Sequence, residues 1–213
     1  MMKLCDKITI VVPCKNEENY IHHLLDALRN QDIGDTRVII ADCSTDATRQ
    51  VIKDNSIGLN VEIIDGGPVS IAKNNGARLV TTPYILFIDA DVRFFKDTVI
   101  QDSVNKMELK KLHLVGLNIK CYDKDIRAKI GFTAFNLINH TLKFFSPFAV
   151  GAFMLTRKDK FEEYGGFLKP FQRLKTISYP ESIVLKSLGL LNIILVKTVA
   201  DSGRWAIWVW PSI

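Results

Sequence analysis

The stretch Tyr84-Ile85-Leu86-Phe87-Ile88-Asp89-Ala90-Asp91 decides how the rest of the chain is interpreted. Its first five residues are apolar or aromatic, which predicts a buried strand. The next three place two carboxylates at the carboxyl end of that strand, the edge at which an open α/β sheet binds its ligand. This stretch therefore predicts both a strand of an α/β sheet and a ligand site directly after it.

Asp89 and Asp91 predict a divalent metal site. Alternate residues of an extended chain point the same way, so the two carboxylates share a face and repel each other unless a cation lies between them. Such oxygen ligands suit Mg²⁺ or Mn²⁺, and Mg²⁺ held by one or two carboxylates usually completes its shell with water and substrate phosphates. The alternative is a pair of strand-end carboxylates that cap the next turn.

The first half of the chain alternates strand and helix patterns. The β-branched run from Ile8 to Val12 predicts a strand that stops at Pro13, and apolar residues at helical spacing follow it, with Asn16 as the helix cap. Further strands are predicted over residues 37–41, 61–64 and 84–88, with helices between them. This alternation predicts an α/β fold with a doubly wound, mostly parallel sheet and helices on both faces.

The second half has a looser pattern. In chain order the sequence predicts a helix over 97–107, a strand over 112–119, a helix within 126–145, a strand over 149–156, a short helix ending at Gly165-Gly166, a helix from Ser178 or Pro180 to Gly189, and a strand over 192–199. No segment rich in Pro, Gly or Ser forces a domain boundary, so one domain over residues 1–213 is expected.

The composition narrows the class of partner. The 213 residues carry 28 Lys and Arg against 23 Asp and Glu, a net charge of +5, which suits an anionic partner such as a nucleotide, a lipid phosphate or a membrane surface. Nucleic acid is disfavoured because the basic residues are scattered and no aromatic residues interleave them. The four cysteines lack zinc-like spacing and no signal peptide precedes residue 8, so a cytoplasmic protein is expected.

Two common nucleotide-binding motifs are absent from the sequence. The first predicted strand leads into Pro13-Cys14-Lys15-Asn16-Glu17-Glu18, where a dinucleotide-binding fold would have its glycines. The P-loop pattern G-x-x-x-x-G-K-[ST] is also missing, which disfavours the P-loop enzymes. A bound phosphate must therefore be held chiefly by metal and side chains.

Four segments occur in a characteristic order. They are Ile10-Val11-Val12-Pro13-Cys14-Lys15-Asn16-Glu17-Glu18, Asp42-Cys43-Ser44-Thr45-Asp46-Ala47-Thr48, Ala72-Lys73-Asn74-Asn75-Gly76-Ala77 with Phe87-Ile88-Asp89-Ala90-Asp91, and Gly151-Ala152-Phe153-Met154-Leu155 with Phe161 and Gly165-Gly166-Phe167. Together they resemble glycosyltransferase family 2, whose members have the GT-A fold. The resemblance implies transfer of a sugar from a nucleoside diphosphate sugar to an acceptor, with inversion at the anomeric carbon. It also implies a nucleotide-binding half, 1–95, and an acceptor-binding half, 96–213.

The resemblance assigns the donor base and ribose to residues near the first two strands. It implies that Asp42 hydrogen-bonds the base and that Pro13, Asn16 and Glu17 lie near base and ribose. Alternatively, Asp42 simply ends a strand and Glu17 favours a helix amino terminus. Asp46 is expected to be a structural turn or cap residue.

Lys73 stands where the family usually has Arg, and an ammonium cannot make the forked contact of a guanidinium. A phosphate or ribose contact from Lys73 and an exposed helix lysine are both open. Asn74 and Gly76 are expected to shape the helix entry and to let the donor approach closely.

The resemblance also implies the catalytic residues. Asp91 would bind the metal directly, Asp89 would reach the ribose or a metal-bound water, and Glu181 is the candidate general base, with a favourable charge in a helix's first turn as its alternative. Arg204 would clamp the diphosphate, while the tryptophans beside it, at 205, 208 and 210, could form a hydrophobic cover, a membrane contact or a closing helix. Neither His113 nor His140 has positive support as a third metal ligand.

The sequence as a whole indicates a metal-dependent glycosyltransferase with an unknown hydroxyl acceptor. The alternatives are a sugar nucleotidyltransferase and a non-catalytic sugar-nucleotide-binding protein, the latter suggested by Lys73 and by the single acid at Glu181. The apolar region from Ile130 to Phe145, with Lys129 and Lys143, would suit docking at the cytoplasmic face of a membrane that carries a lipid-linked acceptor. A core helix is the alternative for that region.

Overall fold

A six-stranded sheet organises the described part of the chain. The computed structural model describes residues 3–94, 96–117 and 152–167, seven helical positions between 126 and 137, and the backbone of residues 193–198 and 204–209. After a short 3₁₀ helix at Leu4–Asp6, the elements in chain order are β1 (Ile8–Cys14), α1 (Ile21–Asn30), β2 (Arg37–Asp42), α2 (Thr48–Asp54), β3 (Asn60–Asp65), α3 (Val69–Arg78), β4 (Tyr84–Ile88), α4 (Val99–Leu109), β5 (Leu114–Gly116), β6 (Phe153–Arg157), α5 (Lys158–Glu163), β7 (Ile193–Thr198) and β8 (Arg204–Val209).

The strand order in the sheet is β3-β2-β1-β4-β6-β5. The first four strands are parallel, whereas β6 runs antiparallel to both β4 and β5. Strands β7 and β8 form a separate antiparallel pair. The prediction of a mostly parallel α/β sheet is therefore confirmed, with an antiparallel strand in its second half.

Helices cover both faces of the sheet because alternate strand residues point to opposite sides. On one face, Ile10, Val12 and Leu86 belong to a buried cluster that includes residues of α1, α2 and α4. On the other face, Val11 and Phe87 pack in a second cluster with residues of α3 and α5. Strands buried on both faces read as continuous apolar runs, which is why β1, β2 and β4 were visible in the sequence.

The order of the strands creates a crevice between β1 and β4. From β1 the chain proceeds to β2 and β3 on one side and then returns to β4 on the other, so this is the topological switch point at which α/β sheets bind ligands. The two strands pair only as far as Val11 and Phe87. After Val11, β1 no longer pairs with β4. Pro13, which lacks an N–H, therefore costs no hydrogen bond between these two strands.

Several predicted boundaries were wrong. Helix α1 begins at Ile21 after a turn in which the N–H groups of Tyr20 and Ile21 donate to Glu17 O, so Asn16 is not its cap. The strand predicted over 112–119 is the three-residue β5, and the closing helix considered for 201–210 is excluded because β8 is a strand. The helix predicted from Ser178 or Pro180 to Gly189 lies outside the described residues.

The part of the chain that the structure describes includes no helix that is both long and apolar enough to span a membrane.

Candidate functional site

A cleft opens at the switch point, at the carboxyl ends of the parallel strands. Its volume is about 410 Å³ and three loops line it. The end of β1 and the loop after it contribute Pro13, Cys14, Lys15 and Glu17. The loop after β3 and the start of α3 contribute Gly67, Pro68 and Val69, and the turn after β4 contributes Asp89, Ala90 and Asp91. The structure thus brings together Pro13, Glu17, Asp89 and Asp91, which the sequence analysis had selected separately.

Hydrogen bonds fix the loop after β1 to the loop after β2. Asn16 has a positive φ of 55°, its N–H donates to Ser44 Oγ at 2.8 Å, and its Oδ1 accepts from Thr45 N at 2.9 Å. Glu17 N donates to Thr48 Oγ1 at 2.7 Å. Asn16 therefore holds two loops together at the edge of the cleft, a role that its local sequence did not indicate.

Asp46 has the structural role predicted for it. Its Oδ1 accepts hydrogen bonds from the backbone N–H and the hydroxyl of Thr48, the first residue of α2. Although desolvation acts in the opposite direction, these hydrogen bonds hold the pKa of Asp46 below its usual range. The carboxylate therefore stays charged and secures the start of the helix.

Asp42 is buried at the end of β2, with 3 % of its surface exposed. Its Oδ1 accepts from Ser44 Oγ at 2.5 Å and its Oδ2 accepts from Arg49 Nε at 3.1 Å. Arg49 also reaches Asp65 Oδ1 at 3.4 Å. A carboxylate can accept further bonds beyond these, so the contact with a donor base stays a prediction. Arg49 is a partner that the sequence analysis missed.

Lys73 is buried, with 3 % of its surface exposed, and the alternative of an exposed helix lysine is therefore wrong. Its Nζ lies 2.8 Å from Asp89 Oδ1. That oxygen is buried and accepts no well-aligned hydrogen bond within the described residues, so the contact is one of charge rather than of directed bonding. The Asp89 side chain as a whole is 34 % exposed, and the residue lines the cleft.

The residue before β6 anchors Asp89, which begins a turn. Asp89 N donates to Ala152 O at 3.1 Å, and Asp89 O accepts from Val92 N at 3.2 Å. Asp91 lies within this turn, half-buried, and lines the cleft beside Asp89. Asp89 and Asp91 therefore both line the cleft, but a turn joins them, and the extended chain from which a shared face was predicted ends at Ile88.

Asn74 and Gly76 do not have the role expected for them. A Cβ on Gly76 would lie 2.4 Å from Val11 Cγ1, so this glycine lets α3 pack closely on β1 in the core rather than admitting a donor. Asn74 binds Phe167, whose carbonyl accepts from Asn74 Nδ2 at 2.8 Å and whose N–H donates to Asn74 Oδ1 at 2.9 Å. No local pattern could predict this pairing, because it joins residues 93 positions apart.

Cys14 packs at the end of β1 beside the cleft. Burial, reinforced by the negative charges of Asp42, Glu17 and Asp46, raises the pKa of the Cys14 thiol. The thiol is therefore neutral at physiological pH, which suits a packing role and not that of a nucleophile.

Some predicted residues lie elsewhere or outside the described part of the chain. His113 precedes β5, and its carbonyl accepts a hydrogen bond from Arg157 N. Arg157 pairs with Tyr84 at the start of β4, whereas Asp89 follows the other end of that strand. His113 is therefore not near the cleft. Glu181 and His140 lie outside the described residues, and only the backbone of Arg204, the first residue of β8, is described.

The model of one protein family, Glycosyl transferase family 2, matches residues 9–165 of this chain. The 4,4'-diaponeurosporenoate glycosyltransferase of Staphylococcus aureus (strain bovine RF122 / ET3-1) is 30 % identical over 175 residues, which cover 75 % of this chain and 46 % of that relative. Poly(ribitol-phosphate) beta-N-acetylglucosaminyltransferase TarS of S. aureus (strain Mu50 / ATCC 700699) is 34 % identical over 101 residues, which cover 44 % of this chain and 18 % of TarS. The chain thus spans less than half the length of these relatives.

Solved structures share the fold. S. aureus TarS 1-349 in complex with UDP-GlcNAc has a TM-score of 0.62 at 18 % identity and covers 97 % of this chain and 60 % of that one. The mannosyltransferase PcManGT from Pyrobaculum calidifontis, in complex with GDP-Man and Mn²⁺, has a TM-score of 0.60 at 19 % identity and covers 79 % of this chain and 50 % of that one. Because the family model matches more than half of the chain, and includes all the strands that form the cleft, the chain belongs to glycosyltransferase family 2.

Proposed function

We propose that this chain transfers a sugar from a nucleoside diphosphate sugar to a hydroxyl acceptor, with inversion and with Mg²⁺ or Mn²⁺ bound. The observation that carries the proposal is the cleft of about 410 Å³ at the switch point, lined by Glu17 on one side and by Asp89 and Asp91 on the other. A site at the carboxyl ends of parallel strands suits a nucleotide, and two carboxylates there suit a cation that accompanies its phosphates.

The carboxylates fit a divalent ion of this kind. The described residues include no cluster of three or more His, Cys, Asp or Glu side chains, but Mg²⁺ is typically held by one or two carboxylates with water and substrate phosphates. Asp91 would hold the ion, and Asp89 would reach the ribose or a metal-bound water. The bound ion would offset the negative charge that grows on the departing diphosphate.

The transfer itself is a single displacement. The acceptor oxygen forms a bond to the anomeric carbon, the bond from that carbon to the diphosphate oxygen breaks, and the acceptor proton passes to a carboxylate base. Glu181 is the proposed base and Arg204 the proposed diphosphate clamp, both on the family resemblance alone. Lys73 contributes a positive charge directly behind the cleft, because its ammonium pairs with Asp89, which lines the cleft.

Two solved neighbours support a sugar-nucleotide donor without choosing its base. One contains UDP-GlcNAc and the other GDP-Man with Mn²⁺. The relatives' names refer to different acceptors, diaponeurosporenoate and poly(ribitol-phosphate), so the acceptor of this chain stays open.

A thermal-shift screen of UDP- and GDP-sugars, each with and without Mn²⁺, tests donor binding, because a ligand that binds only the folded state raises the midpoint of unfolding. The best donor is then incubated with the protein while release of nucleoside diphosphate is measured. Binding without consumption of donor would identify the non-catalytic alternative, and release of pyrophosphate from a nucleoside triphosphate would identify the nucleotidyltransferase.

Asp91→Ala tests the metal assignment. We expect turnover to fall by a factor of about 10³ or more, on the order of 4 kcal/mol of barrier, because the cation would lose its direct ligand. Asp54→Ala, which removes an exposed carboxylate from α2, is the matched control and should retain full turnover. Near-normal Mn²⁺-dependent turnover in Asp91→Ala would contradict the assignment.

We also propose that the protein docks on an anionic membrane surface to reach a lipid-linked acceptor. Ile126, Ile130 and Leu137 are helical and at least 64 % exposed. Spacings of four and seven residues place them on one face of a helix. With Lys129 and Lys143 in the same segment and a net charge of +5, an anionic lipid surface is the partner that this chemistry fits.

A further inference from the structure

Asn74 on α3 makes a two-bond amide contact with the backbone of the Gly165-Gly166-Phe167 turn. Its side chain both donates to and accepts from Phe167, at 2.8 and 2.9 Å. Gly166 has a φ of +73°, and a Cβ there would lie 2.7 Å from Asn74 Oδ1. The turn therefore has the one residue type that permits both its backbone conformation and this close approach.

The ring of Phe167 extends this contact to Lys73, the partner of Asp89. It packs edge-on against Phe87, with ring centroids 5.1 Å apart, and against Phe161 at 5.4 Å. Lys73 Nζ lies 5.6 Å from its centroid, within the range of a cation–π contact. Phe167 thus lies between the residue that holds it, Asn74, and the ammonium of Lys73.

Lys73 completes the chain of contacts, because its ammonium lies 2.8 Å from Asp89 Oδ1. A lysine side chain has several rotatable bonds and a strongly hydrated head, so it keeps one position only where its surroundings restrict it. The Lys73 side chain is 4 % exposed, with the Phe167 ring among its neighbours. Loss of that ring would open a path for water to the ion pair.

We propose that Asn74 is a positioning residue: by fixing Phe167 it keeps Lys73 on Asp89 and so sets the orientation of the carboxylate that faces the cleft. Asn74 need not touch a substrate for this role. The effect on catalysis rests on the proposed function, whereas the effect on Lys73 does not.

The first test measures Lys73 directly. Wild type, Asn74→Ala and Asn75→Ala are treated with a limiting amount of acetic anhydride in the native state, and acetylation of Lys73 is measured by peptide mass spectrometry. Asn75 is the matched control, since it is the next asparagine on α3 and none of the side-chain bonds that the structure describes for it involves Phe167 or Lys73. Its Nδ2 contacts the carbonyls of Asp65 and Gly66 at 3.4 Å, and its Oδ1 accepts from Arg78 Nη1 at 2.8 Å. We expect Lys73 to react at least about tenfold faster in Asn74→Ala and at the wild-type rate in Asn75→Ala.

An unchanged rate in Asn74→Ala overturns the proposal, whatever the wild-type protein does with sugar nucleotides. If Asn74→Ala does not fold, Asn74→Asp replaces it, because the carboxylate keeps the bond from Phe167 N–H and loses only the one to Phe167 O. An intermediate rise in labelling is then expected, and a wild-type rate overturns the proposal.

The second test separates binding from turnover. With a donor from the UDP- and GDP-sugar panel that wild type consumes, Asn74→Ala should lower kcat about tenfold and leave the donor KM within about threefold, while Asn75→Ala changes neither. Faster Lys73 labelling with an unchanged kcat would overturn the catalytic part. If wild type consumes no donor, the proposed function fails, and the labelling result alone decides whether Asn74 positions Lys73.

Discussion

At the scale of single residues, the charge beside the cleft depends on the pair of Lys73 and Asp89. A buried ammonium is costly unless a carboxylate compensates it, and removal of one partner leaves the other without compensation. Asp89 is 34 % exposed, so water screens part of this interaction. The pair therefore contributes less to stability than a fully buried one, but it constrains one carboxylate oxygen of Asp89.

Lys73→Met tests this pairing. We expect the free energy of unfolding to fall by about 1–3 kcal/mol, below the cost of breaking a fully buried pair because Asp89 stays partly solvated. Lys73→Arg keeps the charge and should remain within about 1 kcal/mol of wild type, in line with the family's usual residue at this position. Urea denaturation followed by circular dichroism gives both values.

The control for this prediction is Lys53→Met, which removes an exposed lysine from α2. Surface substitutions of this kind typically change stability by less than about 0.5 kcal/mol. Equal stability of Lys73→Met and Lys53→Met would show that the ammonium of Lys73 contributes nothing to the fold through Asp89.

At the scale of elements, α3 connects the core to the site. Ala72, Lys73, Gly76 and Ala77 are its buried residues, at the spacing of one helical face. The sequence analysis could not assign this face, because helical periodicity is recognised from large apolar residues and here a lysine and a glycine replace them. Asn74 was equally unpredictable, since its partner belongs to a turn that comes after five further elements of the described chain.

Gly76→Ala tests the close packing of α3 on β1. In an exposed helix this change would stabilise by about 1 kcal/mol through helix propensity. Here the new Cβ would lie 2.4 Å from Val11 Cγ1, so we expect a net loss of about 1–3 kcal/mol in the free energy of unfolding, as for other overpacked cores. Chemical denaturation of the purified variant measures the change.

The double variant Gly76→Ala with Val11→Ala decides whether this clash is the cause. Removal of the Val11 methyl groups should make the cost of Gly76→Ala at least about 1 kcal/mol smaller than in the wild-type background, because the two side chains then no longer compete for the same space. Additive losses would mean that the clash with Val11 is not responsible.

At the scale of the whole molecule, the parallel half of the sheet was predictable and its antiparallel completion was not. The apolar runs of β1, β2 and β4 reveal buried parallel strands, and chain order then places Asp89 and Asp91 at the carboxyl edge. The direction of β6 depends on its pairing with β4. Ile88 of β4 pairs with Phe153 of β6, about 65 positions later in the chain. Local patterns contain no information on such a pairing, and the same holds for the Asn16 bonds between loops.

The whole-molecule prediction concerns the membrane surface. The protein should sediment with vesicles that contain phosphatidylserine and not with vesicles of phosphatidylcholine alone, because its net charge of +5 favours an anionic surface. Raising the salt concentration from 0.1 to 1 M should reduce binding strongly, since the Debye length falls from about 10 to 3 Å.

The double variant Ile126→Ser with Ile130→Ser should bind at least about tenfold more weakly, because it loses two exposed apolar side chains from one helix face. The matched control is Leu109→Ser, which changes an apolar residue that is 82 % exposed at the end of α4 and should bind as wild type does. Equal loss in both variants would mean that general surface hydrophobicity drives the binding, and binding that is independent of salt would exclude the electrostatic part of the proposal.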